Sequence, residues 1–193
     1  MASQIKVNEI IKQSGSSISI GESGDTINIP SGATFNVAGS SVTAVDNTPS
    51  FFAFLSSGQT ISDNTITKVQ FNSELFDTDN AYDSSSNYRF TVPSGEAGKY
   101  YFFYSISCHS LAASNLETTD GFFYKNGTAV NEQSADFRDN PGRRFALTNS
   151  IVLDLSASDY IEVFGRIDDN SGSPRFDGAA TYNSYFTGYK LIG

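Results

Sequence analysis

From Phe51 to Leu191 the chain is built of short alternating apolar segments separated by turn formers, and no stretch carries the 3.6-residue apolar period of a long helix. Such segments run from Phe51 to Leu55, Thr67 to Glu74, Tyr88 to Val92, Gly98 to His109, Thr119 to Lys125, Ala129 to Glu132, Phe145 to Leu155, Tyr160 to Ile167 and Ser184 to Leu191. Between them stand Pro93-Ser94-Gly95, Lys125-Asn126-Gly127, Asn140-Pro141-Gly142 and Ser156-Ala157-Ser158-Asp159. Asn126-Gly127 is the strongest hairpin signal, because both residues tolerate the positive φ of a type I′ turn. Strands in series without a helix must bury their apolar faces on one another, which predicts an all-β, two-sheet sandwich. With 16 Phe and 10 Tyr, the segment has the aromatic stock for a packed core rather than the composition of a disordered acidic tail.

The composition shifts at Asp46-Asn47-Thr48-Pro49-Ser50. Before it Phe35 is the single aromatic residue and Ser and Gly are crowded; after it Phe51, Phe52 and Phe54 arrive together. This divides the chain into an N-terminal segment, 1–48, and a head, 49–193. Within the segment the pairs Ile18 and Ile20, Ile27 and Ile29, and Phe35 and Val37 recur between turn formers. Strands this small cannot hold a core of their own. Wound about a shared axis with two identical copies, those six side chains would line the interior of a thin trimeric β stem, whereas composition alone also allows a flexible Ser/Gly linker. Residues 4–12 read as an extended docking segment.

Function classes fall away on charge and on two scarce residues. A net charge of -9 opposes binding to a phosphate backbone, so nucleic acid is not an expected partner. Cys108 and His109 are the only residues of their types, which excludes an internal disulfide and leaves little for a zinc site or a Ser-His-Asp triad. Being adjacent in a strand, they point to opposite faces. No enzyme is expected. Met1 to Ser17 has no apolar run of signal-peptide type, and no stretch approaches about 18 consecutive apolar residues, so synthesis in a cytoplasm without membrane insertion is expected.

Two groups of loop residues remain. Asp77, Asp79 and Asp83, and again Asp168, Asp169 and Asp177, cluster in turn-rich stretches. Calcium takes six to eight oxygens from such loops, although neither run has EF-hand spacing, and Asp and Asn capping their own backbones is the alternative. Arg138, Arg143 and Arg144 surround Asn140-Pro141-Gly142, and Arg166 and Arg175 flank the second acidic loop. They are either surface ion pairs or a polar rim for a receptor; Arg138, Arg143, Arg144 and Arg175 are the contact candidates.

Four stretches then carry a family resemblance: Val69-Gln70-Phe71-Asn72 with Tyr82-Asp83; Tyr88-Arg89-Phe90-Thr91-Val92-Pro93 followed by Ala97-Gly98-Lys99-Tyr100-Tyr101-Phe102; Tyr124-Lys125-Asn126-Gly127; and Phe186-Thr187-Gly188-Tyr189-Lys190-Leu191. In this order they resemble the globular head of the complement component one-q family, a trimeric ten-stranded jelly roll shared with the tumour necrosis factor superfamily. The resemblance implies a threefold homotrimer with a binding head. The last strand puts Tyr185, Thr187, Tyr189 and Leu191 on one face and Phe186, Gly188 and Lys190 on the other. Aromatic residues on both faces call for cover by the chain's own sandwich and by a neighbouring subunit, so Tyr185, Phe186, Tyr189, Tyr101 and Phe103 are the interface candidates. The openings Ala2-Ser3-Gln4-Ile5-Lys6-Val7-Asn8 and Gly24-Asp25-Thr26-Ile27-Asn28-Ile29-Pro30 resemble those of virion-surface proteins of bacteriophages of marine bacteria. Together these imply a trimeric tail-fibre or spike adhesin on the virion surface, held to other virion proteins through 1–48 and binding a host glycan or protein. The alternative is a capsid or tail decoration trimer.

Overall fold

The computed structural model describes residues 47–170 and 172–191. The stem candidates Ile18, Ile20, Ile27, Ile29, Phe35 and Val37 lie outside the described residues. Those described form thirteen strands: β1 (Ser50–Phe54), β2 (Gln59–Thr60), β3 (Thr67–Lys68), β4 (Ser73–Asp77), β5 (Tyr82–Asp83), β6 (Arg89–Thr91), β7 (Gly98–Ser110), β8 (Leu116–Lys125), β9 (Thr128–Asp136), β10 (Arg144–Leu155), β11 (Tyr160–Asp169), β12 (Pro174–Phe176) and β13 (Tyr185–Lys190).

Two antiparallel sheets result. In the first, hereafter the front sheet, β7 is the spine: β10 pairs along one edge from Gly98 to His109, while β13 and β12 lie end to end along the other. β1 and then β4 extend the sheet beyond β13, and β2 adds to β12. The second, or back, sheet runs β5-β6-β11-β8-β9, with β3 also pairing on β11. Setting aside the short additions β2, β3 and β12, ten strands make two five-stranded sheets, the jelly-roll arrangement expected from the sequence.

Alternation along each strand aims every second residue into the space between the sheets. Phe51 of β1, Tyr100, Phe102 and Tyr104 of β7 and Phe186 of β13 come from the front; Phe90 of β6, Phe123 of β8 and Ile161, Val163 and Ile167 of β11 come from the back, all buried. Phe186 meets the Phe51 ring edge-on at 4.8 Å between centroids and also contacts Phe71, Tyr82, Phe102 and Phe123. Two residues further along β13, Gly188 faces inward beneath this cluster. A Cβ there would stand 2.4 Å from Phe102 Cδ1 and 3.0 Å from Phe51 Cε1, so only glycine fits. At the β8–β9 hairpin, Asn126 and Gly127 adopt φ of 52° and 78°, the left-handed values their pairing predicts.

The stretch read as one strand over Thr67 to Glu74 is two. Thr67 and Lys68 pair with β11 in the back sheet, whereas Ser73 to Asp77 pair with β1 in the front sheet. Val69 and Phe71 fill the core at the crossing, so the alternation marks the inward residues correctly but not the change of partner. β2 and β12 have too few residues to leave an alternating signal.

Gly188→Ala should destabilise the head by about 1–3 kcal/mol, the usual cost of forcing an atom into a filled core, and Phe186→Ala by about 3–5 kcal/mol. Gly142→Ala, with nothing within 4 Å of the new Cβ, should cost almost nothing. Urea denaturation of the three variants checks the ranking; equal effects at Gly188 and Gly142 would contradict it.

Candidate functional site

The residues that alternate outward on the front sheet form one aromatic surface. Register aligns Phe54 with Tyr185 and Phe52 with Thr187, and places Tyr189 opposite Tyr101 and Thr187 opposite Phe103. Phe52 stacks on Tyr185 at 5.0 Å, Phe103 lies 5.7 Å from Tyr185, and Tyr101 lies 5.5 Å from Tyr189. Tyr182 closes over Phe52 and Phe54, and Phe76 of β4 extends the patch at 45% exposure. Val152, 54% exposed, borders it on β10 opposite Tyr101. The patch is contiguous and only half-covered by its own chain. Phe186, grouped with these residues by sequence, is fully buried on the opposite face and belongs to the chain's own core.

At the far end of β7 the same outer face changes character. Arg175 of β12, His109 of β7 and Arg144 of β10 form one cross-strand row. All three converge on Asp177, which follows β12 and is 3% exposed. Arg144 Nη2 stands 2.5 Å from Asp177 Oδ2, Arg175 Nε donates to Oδ1 at 2.6 Å, and His109 Nδ1 lies 3.1 Å from Oδ1. His109 Nδ1 also lies 3.5 Å from Arg144 Nη2, so the imidazole sits between the guanidinium and the carboxylate. Asp177 is pinned by its backbone: its N–H donates to Ser107 O, and its carbonyl accepts the buried Ser184 hydroxyl, which in turn accepts the Ser107 N–H. His109, Arg143 and Arg144 line an open depression at this row. Next to His109 in sequence, Cys108 points inward, where burial first and then Asp120 and Asp177 push its thiol pKa upward, away from a reactive thiolate.

Of the four arginine candidates, structure brings together Arg143, Arg144 and Arg175. Arg138 is separate: its guanidinium is tied to Asp136, beside Phe137, Asp139 and Asn140. Arg166 pairs with the buried Asp120 on the back sheet. Sequence reasoning placed Asp177 in a calcium loop and missed its place among the cations. The available signal was the Arg175-Phe176-Asp177 spacing, which sets Arg and Asp on one side of an extended chain with a core Phe between them.

The carboxylates considered for calcium are engaged with the chain's own donors. Asp77 accepts the Ala81 and Tyr82 N–H groups, Asp79 the Thr78 hydroxyl, and Asp169 the Ser110 hydroxyl. Asp83 takes the N–H groups of Ser85, Ser86 and Asn87, and these bonds hold its pKa well below the usual carboxylate range. Asp168 is pushed the other way, by burial and then by Asp63 and Glu117. Among the described residues no group of three or more His, Cys, Asp or Glu side chains is gathered to hold a metal ion. Asp177, proposed with Asp168 and Asp169, instead has three cationic or imidazole neighbours.

The fold defines a two-sheet jelly roll with an uncovered aromatic face. The C1q domain family model matches residues 50–191, and the chain belongs to that family. Among solved structures it is similar to the globular domain of zebrafish complement 1qA, with a TM-score of 0.51 at 16% identity over 74% of this chain and 97% of that one. It is similar also to murine APRIL at pH 5.0, with a TM-score of 0.52 at 14% identity over 74% and 99% of the two chains. No curated protein matches in sequence. C1q/TNF-like domains are typically non-enzymatic binding domains that form homotrimers.

Asp159, at the β10–β11 turn, is held at about 2 by the Asn126 amide, then Lys125 and the Ser156 N–H. Asp83 is lowered likewise. Folded-state pKa values below the unfolded ones mean that this stabilisation is complete above the ordinary carboxylate range near pH 4 and is lost as pH falls through the folded values. Stability measured by urea titration should therefore be flat in these groups down to about pH 4 and decline toward pH 2, with a shallower decline in Asp159→Asn; an unchanged slope in that variant would refute the assignment.

Proposed function

We propose that the chain is a homotrimeric, non-enzymatic binding protein that assembles through the outer face of the front sheet. The observation that carries this is the half-exposed aromatic surface of Phe52, Phe54, Tyr101, Phe103, Tyr185 and Tyr189. A contiguous apolar patch of this kind is a site of association, and self-association is typical of the family. Burial of Cys108, which pushes its thiol pKa upward, leaves no accessible thiolate nucleophile, which supports binding rather than catalysis.

The resemblance of the Ala2 and Gly24 openings to virion-surface proteins supports a finer reading. In it the head is the adhesin of a tail fibre or spike, residues 1–48 attach it to other virion proteins, and the head contacts a host-surface glycan or protein. Threefold presentation would raise avidity without any stronger single contact.

Light scattering on the full chain should give three times the chain mass of 20.8 kDa. Tyr101→Glu with Tyr189→Glu should shift the species to monomer, since a charge would be buried in an apolar contact. A monomeric parent protein would refute the assembly. Electron microscopy of purified particles with an antibody to the head tests the virion placement, and free head that fails to compete with host attachment would refute the adhesin.

A further inference from the structure

The row at the end of β7 has more positive charge than its one carboxylate needs. Arg144 and Arg175 both pair with Asp177, and Arg143 makes no ion pair among the described residues while lining the same depression as His109 and Arg144. Two guanidiniums thus pair with a single buried carboxylate, and a third lines the depression beside them. We propose that this cluster is a binding site for a compact oxyanion group, namely a carboxylate, sulfate ester or phosphate.

Asp177 sets the geometry. Arg175 Nε donates to Oδ1, which fixes the plane of that fork, and Arg144 Nη2 stands against Oδ2 as an ion pair, so both guanidiniums are held at the carboxylate while their other N–H donors remain for a ligand. The Arg144 side chain is 53% exposed and that of Arg175 36% exposed, so both forks reach solvent even though their anchor does not. Preorganisation by a buried partner removes much of the rotamer entropy that an isolated surface arginine would lose on binding. Arg143 adds an adjacent charge that makes no ion pair among the described residues.

Overall charge selects the size of the ligand. The chain carries -9, so an extended polyanion laid across the head would meet repulsion away from this island, whereas a single anionic group meets only the arginines. A terminal acidic group on a saccharide and the free inorganic ion share this chemistry. The proposal does not depend on the oligomeric state proposed above, and the two are tested separately.

The test is equilibrium dialysis of labelled inorganic sulfate against the full chain at constant ionic strength, with sedimentation run on the same samples. Saturable binding of one sulfate per chain with a dissociation constant on the order of 1 mM is expected. Arg143→Gln, which removes no ion pair of the fold, should weaken it by roughly tenfold, and Arg144→Gln by at least as much. A monosulfated monosaccharide that displaces sulfate at lower concentration supports a saccharide-borne group; one that only equals it supports the free ion. Absence of saturable binding, or equal binding by both variants and the parent, overturns the proposal. If instead Arg144→Gln dissociates the oligomer and sulfate binds only the dissociated chain, the cluster takes a carboxylate of another copy and the proposal also fails.

Discussion

Contact between aromatic rings across the gap between the sheets is the constraint on which the rest of the head depends. Phe186 and Phe51 from the front meet Phe71, Tyr82, Phe90 and Phe123 at centroid distances of 5.0 to 6.2 Å. Each buried ring contributes of order 1.5–3 kcal/mol by leaving water, with a further increment from edge-to-face geometry. A core of planar groups has little tolerance for added atoms, which explains the glycine at 188 in a strand where glycine is otherwise unfavourable. One missing methyl allows strands of both sheets to share a single cluster.

Anchoring the inward residues also fixes what faces outward. A one-residue slip of β13 would bury Tyr185 and Thr187 and expose Phe186, so burial of Phe186 locks the register. The outward set follows by geometry: Tyr185 and Tyr189 join Phe52, Phe54, Tyr101 and Phe103 on the front sheet. The same register carries β7 on to His109 and aligns it with Arg144 and Arg175. The aromatic face and the cationic row are therefore two ends of one outer surface, positioned by one core.

Much of this was legible in the sequence because it is written in local alternation. The two faces of Ser184 to Leu191, the Asn126-Gly127 turn and the opposed directions of Cys108 and His109 all follow from a period of two. Interface candidates Tyr101, Phe103, Tyr185 and Tyr189 sit on the uncovered face, but Phe186 does not, since alternation separates two faces without saying which one the back sheet will cover. The transfer of 67–74 from one sheet to the other left no mark, because an inward residue looks the same whichever ladder it joins. Least legible was the cluster at Asp177. Its members come from β7, β10 and the end of β12, and their meeting is a property of strand pairing and of the Ser184 anchor rather than of any motif.

The acidic loops clarify why that cluster differs from an ordinary surface ion pair. Asp77 and Asp83 use their oxygens on nearby N–H groups and so shape turns at little electrostatic consequence beyond the loop. Asp177 is met by side chains instead: Arg175, two residues before it, donates to Oδ1, and Arg144 and His109 reach it from β10 and β7. Burying a carboxylate costs several kcal/mol unless cations return it, and Arg144 and Arg175 both stand against Asp177. Arg143, at the same depression, makes no ion pair among the described residues and is the cation in surplus. A surplus cation beside a carboxylate-anchored pair, on a chain of net negative charge, is the arrangement on which the proposed anion site rests.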